Sequence, residues 1–355
     1  MRLLQPGVRR FGSAMFMVAM HLSLALGPRA AWAQAASAAP AEVSAAGSTY
    51  SLYLPLVMQA GAPGSVNISS RQSSLNFYNA VYNVAPAPAA DWTGSHAACN
   101  PGTTADNFQD AVLDRINYFR AMAGVPADVT LADDSDRQAQ AAALMMSVNG
   151  TLSHAPPTDW ACYSADGAAG AGSANLYLGT YALDAITGFM RDPGAGNDRV
   201  GHRRWLLYPQ TRTMGAGNIP PAAGYPASSA LRVFDNHMWE ARPPVRDDFV
   251  AWPPPGFVPY PVVFARWSFS YPDADFGAAT VTMRSGSANV TLQQSAPVDG
   301  FGENTLVWIP LGLADGANWP RPTADTAYDV TVRNVIINNQ SRDFTYRVTI
   351  FDPQQ

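Results

Sequence analysis

The chain has 355 residues, of which 47% are hydrophobic and 14% charged, and its formal net charge is −5. This length is enough for roughly two domains, and the apolar share is enough for packed cores. The acidic balance argues against a nucleic-acid-binding protein, which normally presents a basic surface.

Residues 1–33 have the pattern of a secretory signal peptide. Several arginines precede the apolar run Phe11–Leu26, and Ala31-Trp32-Ala33 fits a small-residue cleavage site. Because the run is shorter than a bilayer span, cleavage after Ala33 is favoured over a membrane anchor. The pattern predicts a secreted, extracellular or cell-surface protein with no transmembrane segment after cleavage.

Residues 34–105 are predicted to be a low-complexity linker followed by an N-terminal extension. The linker is the Ala/Ser-rich stretch AQAASAAPAEVSAAG at 34–48. The apolar run Tyr50–Val57 is interrupted by Pro55, and it fits either an edge strand or a docking segment.

Two cysteines, Cys99 and Cys162, follow the expected cleavage point. An even pair in an exported chain favours one disulfide, and two free thiols are the alternative. The bond would close a loop of about 60 residues and stabilise the fold by roughly 4 kcal/mol in the chain-entropy model.

Three helices are predicted between residues 106 and 191. In NFQDAVLDRINYFRAMAGVP the apolar residues recur at three- and four-residue spacing, so a helix is expected to start at Asp106 and end at Gly124. Further helices are expected at about Ser135–Val148 and Tyr181–Arg191. The Gly/Ala-rich stretch 151–179 is interpreted as a long functional or disordered loop.

From residue 228 the pattern changes to short segments of alternating polarity, which predict a β-sandwich over 228–355. The segment VAWPPPGFVPYP is too rich in proline for a helix or a central strand. Strands are expected at Val262–Tyr271, Ala279–Met283, Val290–Gln294, Thr305–Pro310, Tyr328–Asn334 and Phe344–Phe351.

His154 and His202 are the candidate functional residues among the five histidines. Each is flanked by small or turn residues at the edge of a predicted helix, whereas the motifs HExxH, CxxC and GxSxG are absent from the sequence. Two neutral imidazoles and one carboxylate could hold Zn²⁺ with a water in the fourth position. Alternatively, the two rings could hydrogen-bond across a cleft and hold helices together.

Five pieces of sequence occur in order along residues 106–220. They are Ile116-Asn117-Tyr118-Phe119-Arg120, Leu152-Ser153-His154, Gly172-Ser173-Ala174-Asn175-Leu176, Phe189 with Asp192, and Gly201-His202-Arg203-Arg204-Trp205-Leu206-Leu207. Together they resemble the motifs of the CAP domain that cysteine-rich secretory proteins, venom allergens and pathogenesis-related proteins share. The resemblance covers about a third of the chain.

This resemblance implies a three-layer α-β-α sandwich over 106–227, whose central cleft is lined by two histidines and two acids. His154 and His202 would be the histidines, and Asp192 would be the second acid. The first acid is replaced by Ala174. Some members of the family bind a divalent metal through the histidines, so zinc or a similar ion on His154 and His202 is the cofactor that the resemblance allows.

The expected fold class of the whole chain is therefore α+β. A CAP-like domain at 106–227 is followed by an all-β, immunoglobulin-like sandwich at 228–355, as some bacterial CAP proteins carry.

Two arginines follow His202 in the sequence. They could pair with Asp192 or Asp198 at the rim of the cleft, or one could bind an acidic group of a ligand. On the second interpretation Arg203 joins His154, Asp192 and His202 as a cleft residue.

The function predicted from the sequence is a non-enzymatic secreted or cell-surface protein that binds an extracellular ligand or partner in the His/Asp-lined cleft. With Ala174 in place of an acid, no general base is evident for catalysis. A metal-dependent hydrolase using the same histidines is the first alternative. A structural surface protein that acts through its β-sandwich is the second.

Overall fold

The computed structural model describes residues 66–84 and 87–355. The first part of the fold is a four-stranded sheet between two layers of helices. The predicted signal peptide, the linker at 34–48 and the run Tyr50–Val57 lie outside the described residues. The helices are α1 (Arg71–Phe77, continued by a π-helical turn, Tyr78–Tyr82), α2 (Asp106–Ala123), α3 (Asp133–Asn149), α4 (Ala165–Gly172), α5 (Ala182–Arg191) and α6 (Gly201–Leu206). The strands are β1 (Thr130–Leu131), β2 (Ala174–Leu178), β3 (Thr213–Ile219), β4 (Ser228–Arg232), β5 (Val250–Trp252), β6 (Gly256–Pro259), β7 (Trp267–Tyr271), β8 (Thr280–Ser285), β9 (Ala288–Val290), β10 (Leu292–Gln294), β11 (Asn304–Pro310), β12 (Thr326–Ile337) and β13 (Gln340–Phe351).

The first sheet has the strand order β1-β3-β4-β2. Strand β1 pairs with β3 in parallel, and the other two pairs are antiparallel. Strand β4 begins at Ser228 and lies between β2 and β3. The sheet therefore continues past residue 227, where the sequence analysis places the end of the first domain.

The two faces of this sheet bury different side chains, because neighbouring residues of a strand point to opposite faces. Ile219 and Ala230 pack with buried residues of α3 and α4. Ala216 and Leu231 belong to a second cluster with residues of α2 and α5. This arrangement confirms the three-layer α-β-α sandwich.

The predicted helices are found within a few residues of their expected ends. Gly124 and Gly150 end α2 and α3 in the left-handed conformation, with φ of 77° and 62°, which glycine adopts without steric cost. Asp106 lies in the first turn of α2, after the N-cap Ala105.

The interpretation of 151–179 as a continuous loop is wrong, because the stretch contains α4 and β2. The sequence ADGAAGAG of α4 contains three glycines, which weaken the local signal for a helix. Its stability comes from packing on α3. A methyl group added to Gly170 would lie 2.2 Å from the carbonyl oxygen of Gln138, so only glycine allows this close approach.

The C-terminal strands form two sheets with the orders β10-β11-β7-β5 and β6-β13-β12-β8-β9. Aromatic side chains join them: the ring centroids of Phe269 and Phe344 are 5.0 Å apart, and those of Trp267 and Tyr328 are 6.0 Å apart. The β-sandwich prediction is confirmed. The proline-rich segment supplies β5 and β6, which lie at sheet edges, where proline is tolerated.

Helix α1 was not predicted from the sequence, and it connects the sandwich to α2. The hydroxyl of Ser74 donates to the carbonyl of Phe257 at 2.7 Å. The rings of Phe77 and Tyr118 stack with centroids 5.1 Å apart. All of the described residues belong to one compact unit, Val57–Gln355.

Cys99 and Cys162 form a disulfide, as predicted, and the two cysteines are separated by 63 positions. The bond joins the segment before α2 to the segment before α4. In the part of the chain that the structure describes, no helix has both the length and the apolar character needed to cross a membrane.

Candidate functional site

His202 is held by the carboxylate of Asp192 at the start of α6. Its Nδ1 lies 2.7 Å from Asp192 Oδ1, and its backbone N–H donates to Asp192 Oδ2 at 3.0 Å. Because a carboxylate only accepts hydrogen bonds, Nδ1 carries the proton and Nε2 is the free ring nitrogen. Asp192 is 0% exposed, so it acts on the cleft through His202.

Backbone conformation brings Asp192 to this position. It caps the C-terminus of α5 in the left-handed region, with φ of 53°, which an aspartate tolerates better than a bulky residue. Its carbonyl accepts a hydrogen bond from Arg266. The turn after α5 therefore directs the carboxylate toward the N-terminal end of α6.

His154 lies in the connection between α3 and α4, and its side chain is exposed. Its Nδ1 lies 2.8 Å from the carbonyl oxygen of Ala171. A carbonyl oxygen also only accepts, so Nδ1 is the protonated nitrogen here as well. Both candidate histidines therefore have Nδ1 held by the protein, and within residues 66–84 and 87–355 neither Nε2 has a hydrogen-bond partner.

The structure brings His154 and His202 together as walls of two adjoining cavities. The first cavity has a volume of about 490 Å³ and the second of about 420 Å³. Asn197 lines both cavities together with the two histidines. The two volumes are within the range of small-molecule sites, and together we call them the cleft.

Ala174 lines the second cavity, so the position of the missing family acid does face the cleft. Its neighbour Asn175 is buried, and its side-chain amide donates to the carbonyl of His202 at 2.9 Å. Strand β2 thus positions α6 through Asn175, while Ala174 contributes only a methyl group to the cleft.

Arg203 is not brought to the cleft. It is 1% exposed and points toward the β-sandwich, where Nε donates to the carbonyl of Met190 at 2.7 Å and Nη1 to the hydroxyl of Ser268 at 3.0 Å. Burial lowers its pKa to about 9, so it remains charged at neutral pH.

Arg204 is also buried, and it holds a loop of the sandwich. Nε donates to the carbonyl of Glu303 at 3.0 Å, and Nη1 to that of Val298 at 2.6 Å. Burial lowers its pKa to about 10. Neither arginine has the rim or ligand role that the sequence suggested.

Sequence reasoning missed most of the second cavity's wall. Arg199, Trp205, Phe234 and Phe301 all line it. Phe301 comes from the β region, about a hundred positions after His202, and no local pattern indicates this contact. The contact is close at Gly201, where a methyl group would lie 3.1 Å from the Phe301 ring.

The Nδ1 hydrogen bonds of the two histidines are of the kind that metal-binding histidines make, because such histidines usually donate their other ring N–H to a carboxylate or a carbonyl. Within residues 66–84 and 87–355, however, no group of three or more His, Cys, Asp or Glu side chains is placed to hold an ion. A metal bound by His154 and His202 would take its remaining ligands from water or from a bound molecule.

The other described histidines lie outside the cleft. His96 is buried, and its Nε2 lies 3.0 Å from the Ser147 hydroxyl. His237 pairs with Asp235, with Nδ1 3.1 Å from Oδ2. Because this second His–Asp pair lies outside the cleft, substitutions in it serve as controls for substitutions of Asp192 and His202.

Comparison with known proteins finds a family that is similar to part of the chain. Residues 113–222 match the model of the Cysteine-rich secretory protein family, CAP, and this range contains His154, Ala174, Asp192 and His202. A search of curated proteins found no match.

Two solved structures are similar to short parts of the chain. They are PcoC, a methionine-rich copper resistance protein from Escherichia coli, and its selenomethionine form. The identities are 14% and 15%, and each match covers 28% of this chain and 92% or 94% of the other chain. The TM-scores of 0.21 and 0.20 are too low to indicate a shared fold.

Proposed function

We propose that this chain, whose residues 113–222 match the CAP family model, is an exported, non-enzymatic protein that binds its ligand in the cleft between His154 and His202. The observation that carries the proposal is the shared arrangement of the two rings. Fixed acceptors, Ala171 O and Asp192 Oδ1, hold both Nδ1 atoms. Each ring therefore offers Nε2 as a preorganised acceptor or metal ligand.

Export is supported by two features of the chain. Residues 1–33 have the composition of a signal peptide. The Cys99–Cys162 bond is of a kind that persists in oxidising compartments outside the cytosol.

A metal-dependent hydrolase is the alternative, and the Asp192–His202 pair favours it, since a histidine oriented by a buried carboxylate can act as a general base. Two observations weigh against it. Among the described residues that line the two cavities there is no Asp or Glu. The described hydrogen bonds of His202 also include none to a hydroxyl that could serve as nucleophile.

Zinc is the simplest probe of the two free nitrogens. Isothermal titration of the purified chain should show equimolar zinc uptake. The His154→Ala/His202→Ala variant should bind at least about a hundredfold more weakly, because it loses both protein ligands. His237→Ala, which removes the histidine of the other His–Asp pair, should bind as the unmodified chain does. Absence of uptake, or equal uptake by the double variant, would contradict the proposal.

Hydrolysis can be tested on the same samples. The zinc-loaded chain should cleave p-nitrophenyl esters no faster than the double-histidine variant does. A clear excess of cleavage that depends on both histidines would instead support the hydrolase.

A further inference from the structure

The second cavity of the cleft combines an aromatic wall with a single cationic side chain. We infer that it binds an aromatic anion: a planar ring packs on Trp205, Phe234 and Phe301, and its acidic group pairs with Arg199. This inference rests on the proposed binding role of the cleft and specifies the chemistry of the ligand.

Three half-buried aromatic side chains form the wall. Trp205 and Phe234 meet edge to face, with centroids 4.6 Å apart. Phe301 enters from the β region and packs closely on Gly201. Aromatic faces that remain partly exposed in a concave site favour a ring stacked or packed edge-on against them.

Arg199 supplies the charge. Its guanidinium lies over the Phe301 ring, 4.8 Å from the centroid, and it is half-buried at the cavity wall. No hydrogen bond or ion pair joins its side chain to another residue in the described part of the chain. An arginine held over an aromatic ring keeps its forked donors available for a carboxylate or a similar anion.

Arg199 is the one formally charged side chain among the described residues that line the cavity. No described acidic side chain lines it. Asp198 and Asp299 are the acids nearest in sequence to Arg199 and Phe301. Both are exposed, and neither lines the cavity. Asp192 is paired with His202 behind the wall. An anionic group would therefore meet one cation and no carboxylate.

Arg204 is the positioning residue for this wall. Its guanidinium bonds to the carbonyls of Val298 and Glu303 at the two ends of the loop that carries Phe301. The carboxylate of Glu303 is in turn held by Arg242. The loop is therefore anchored from the CAP domain, so that the β region contributes a fixed part of the ligand site.

The probe is 2-naphthoate, titrated calorimetrically into the full purified chain without added metal. Its neutral analogue 2-naphthalenemethanol and its cationic analogue 2-naphthylmethylamine have the same ring. We expect 2-naphthoate to bind at least about tenfold more tightly than either analogue, since a charge-assisted pair with Arg199 adds to the ring contacts. Added salt should reduce this preference.

Arg199→Gln should remove the preference for the anion and lower the affinity for 2-naphthoate at least about tenfold. Phe301→Ala should weaken all three compounds alike, because it removes ring contacts and no charge. Arg212→Gln is the matched control, since Arg212 is paired with Glu240 outside the cleft; this variant should bind as the unmodified chain does. Circular dichroism of each variant checks that its fold is retained.

The inference is overturned if 2-naphthoate does not bind at millimolar concentration, if the three analogues bind equally, or if folded Arg199→Gln binds as the unmodified chain does. Rejection of the aromatic-anion site would leave the proposed binding role of the two histidines untouched. Zinc uptake that depends on His154 and His202 would stand while the aromatic-anion site is rejected.

Discussion

At the scale of single residues, Asp192 organises the cleft without lining it. One buried carboxylate accepts from the ring and the backbone of His202, and its Oδ2 also lies 3.4 Å from the backbone nitrogen of Arg203. These contacts fix the ring's tautomer and direction.

Asp192→Asn should therefore weaken zinc binding by about 10- to 100-fold, the usual cost of removing the acceptor behind a ligating histidine. The measurement is calorimetric titration. Asp235→Asn, which alters the same kind of pair at His237, should leave zinc affinity unchanged. Unchanged affinity in a folded Asp192→Asn variant would show that Asp192 has no part in binding.

His154 and His202 line the same two cavities, whereas the resemblance to CAP domains gave no indication of the direction of Arg203. On a helix, adjacent residues are rotated by about 100°. With His202 turned to the cleft, Arg203 must face elsewhere. That its face is covered by Ser268 of the sandwich depends on a contact between distant parts of the chain, which no local pattern reports.

At the scale of elements, Arg120 joins α2 to the end of α6 and the segment after it. The side chain is 0% exposed, and it donates to the carbonyls of Pro126, Leu206, Tyr208 and Thr211 at 2.7 to 3.1 Å. Burial lowers its pKa to about 10, so it remains charged at neutral pH. The first motif of the CAP resemblance therefore has a structural role, in holding α6 in place.

Arg120→Met should lower the free energy of unfolding by about 3–5 kcal/mol, because it leaves buried carbonyls without their donor. Urea denaturation followed by circular dichroism measures this. Arg137→Met, at an exposed arginine paired with Asp134, should change stability by no more than about 0.5 kcal/mol. A similar small change for Arg120→Met would contradict the assigned role.

Helix ends and strand alternation could be predicted because they depend on local chemistry, such as the left-handed Gly124 and Gly150. Helix α4 could not, since its glycines disfavour a helix locally and only the contact of Gly170 with α3 makes one favourable. Strand β4 was missed for a similar reason: its place between β2 and β3 is decided by long-range pairing.

At the scale of the whole molecule, the α-β-α region and the β region share buried contacts. Arg203 bonds to Ser268, Arg266 bonds to the carbonyl of Asp192, and Arg204 holds the loop of Phe301. Helix α1 adds a further connection, from Phe257 to Tyr118. Because these contacts cross the predicted boundary at residue 228, we expect the two regions to unfold together.

Thermal unfolding should consequently be a single transition, with a calorimetric enthalpy equal to the van't Hoff enthalpy. Differential scanning calorimetry measures both. Two resolved transitions, in which one region stays folded after the other has unfolded, would show that the two regions fold independently. In that case folding of the first region alone would not be enough to hold Phe301, which belongs to the β region, at the wall of the cleft.

The most direct test of the binding role is a crystal structure of the chain grown with zinc, with anomalous data at the zinc absorption edge. We expect a peak in the cleft with bonds of about 2.0–2.1 Å to Nε2 of both His154 and His202, while Asp192 stays bonded to Nδ1 of His202. No peak in the cleft, or a zinc ion bonded through Nδ1 with the Asp192 contact broken, would contradict it.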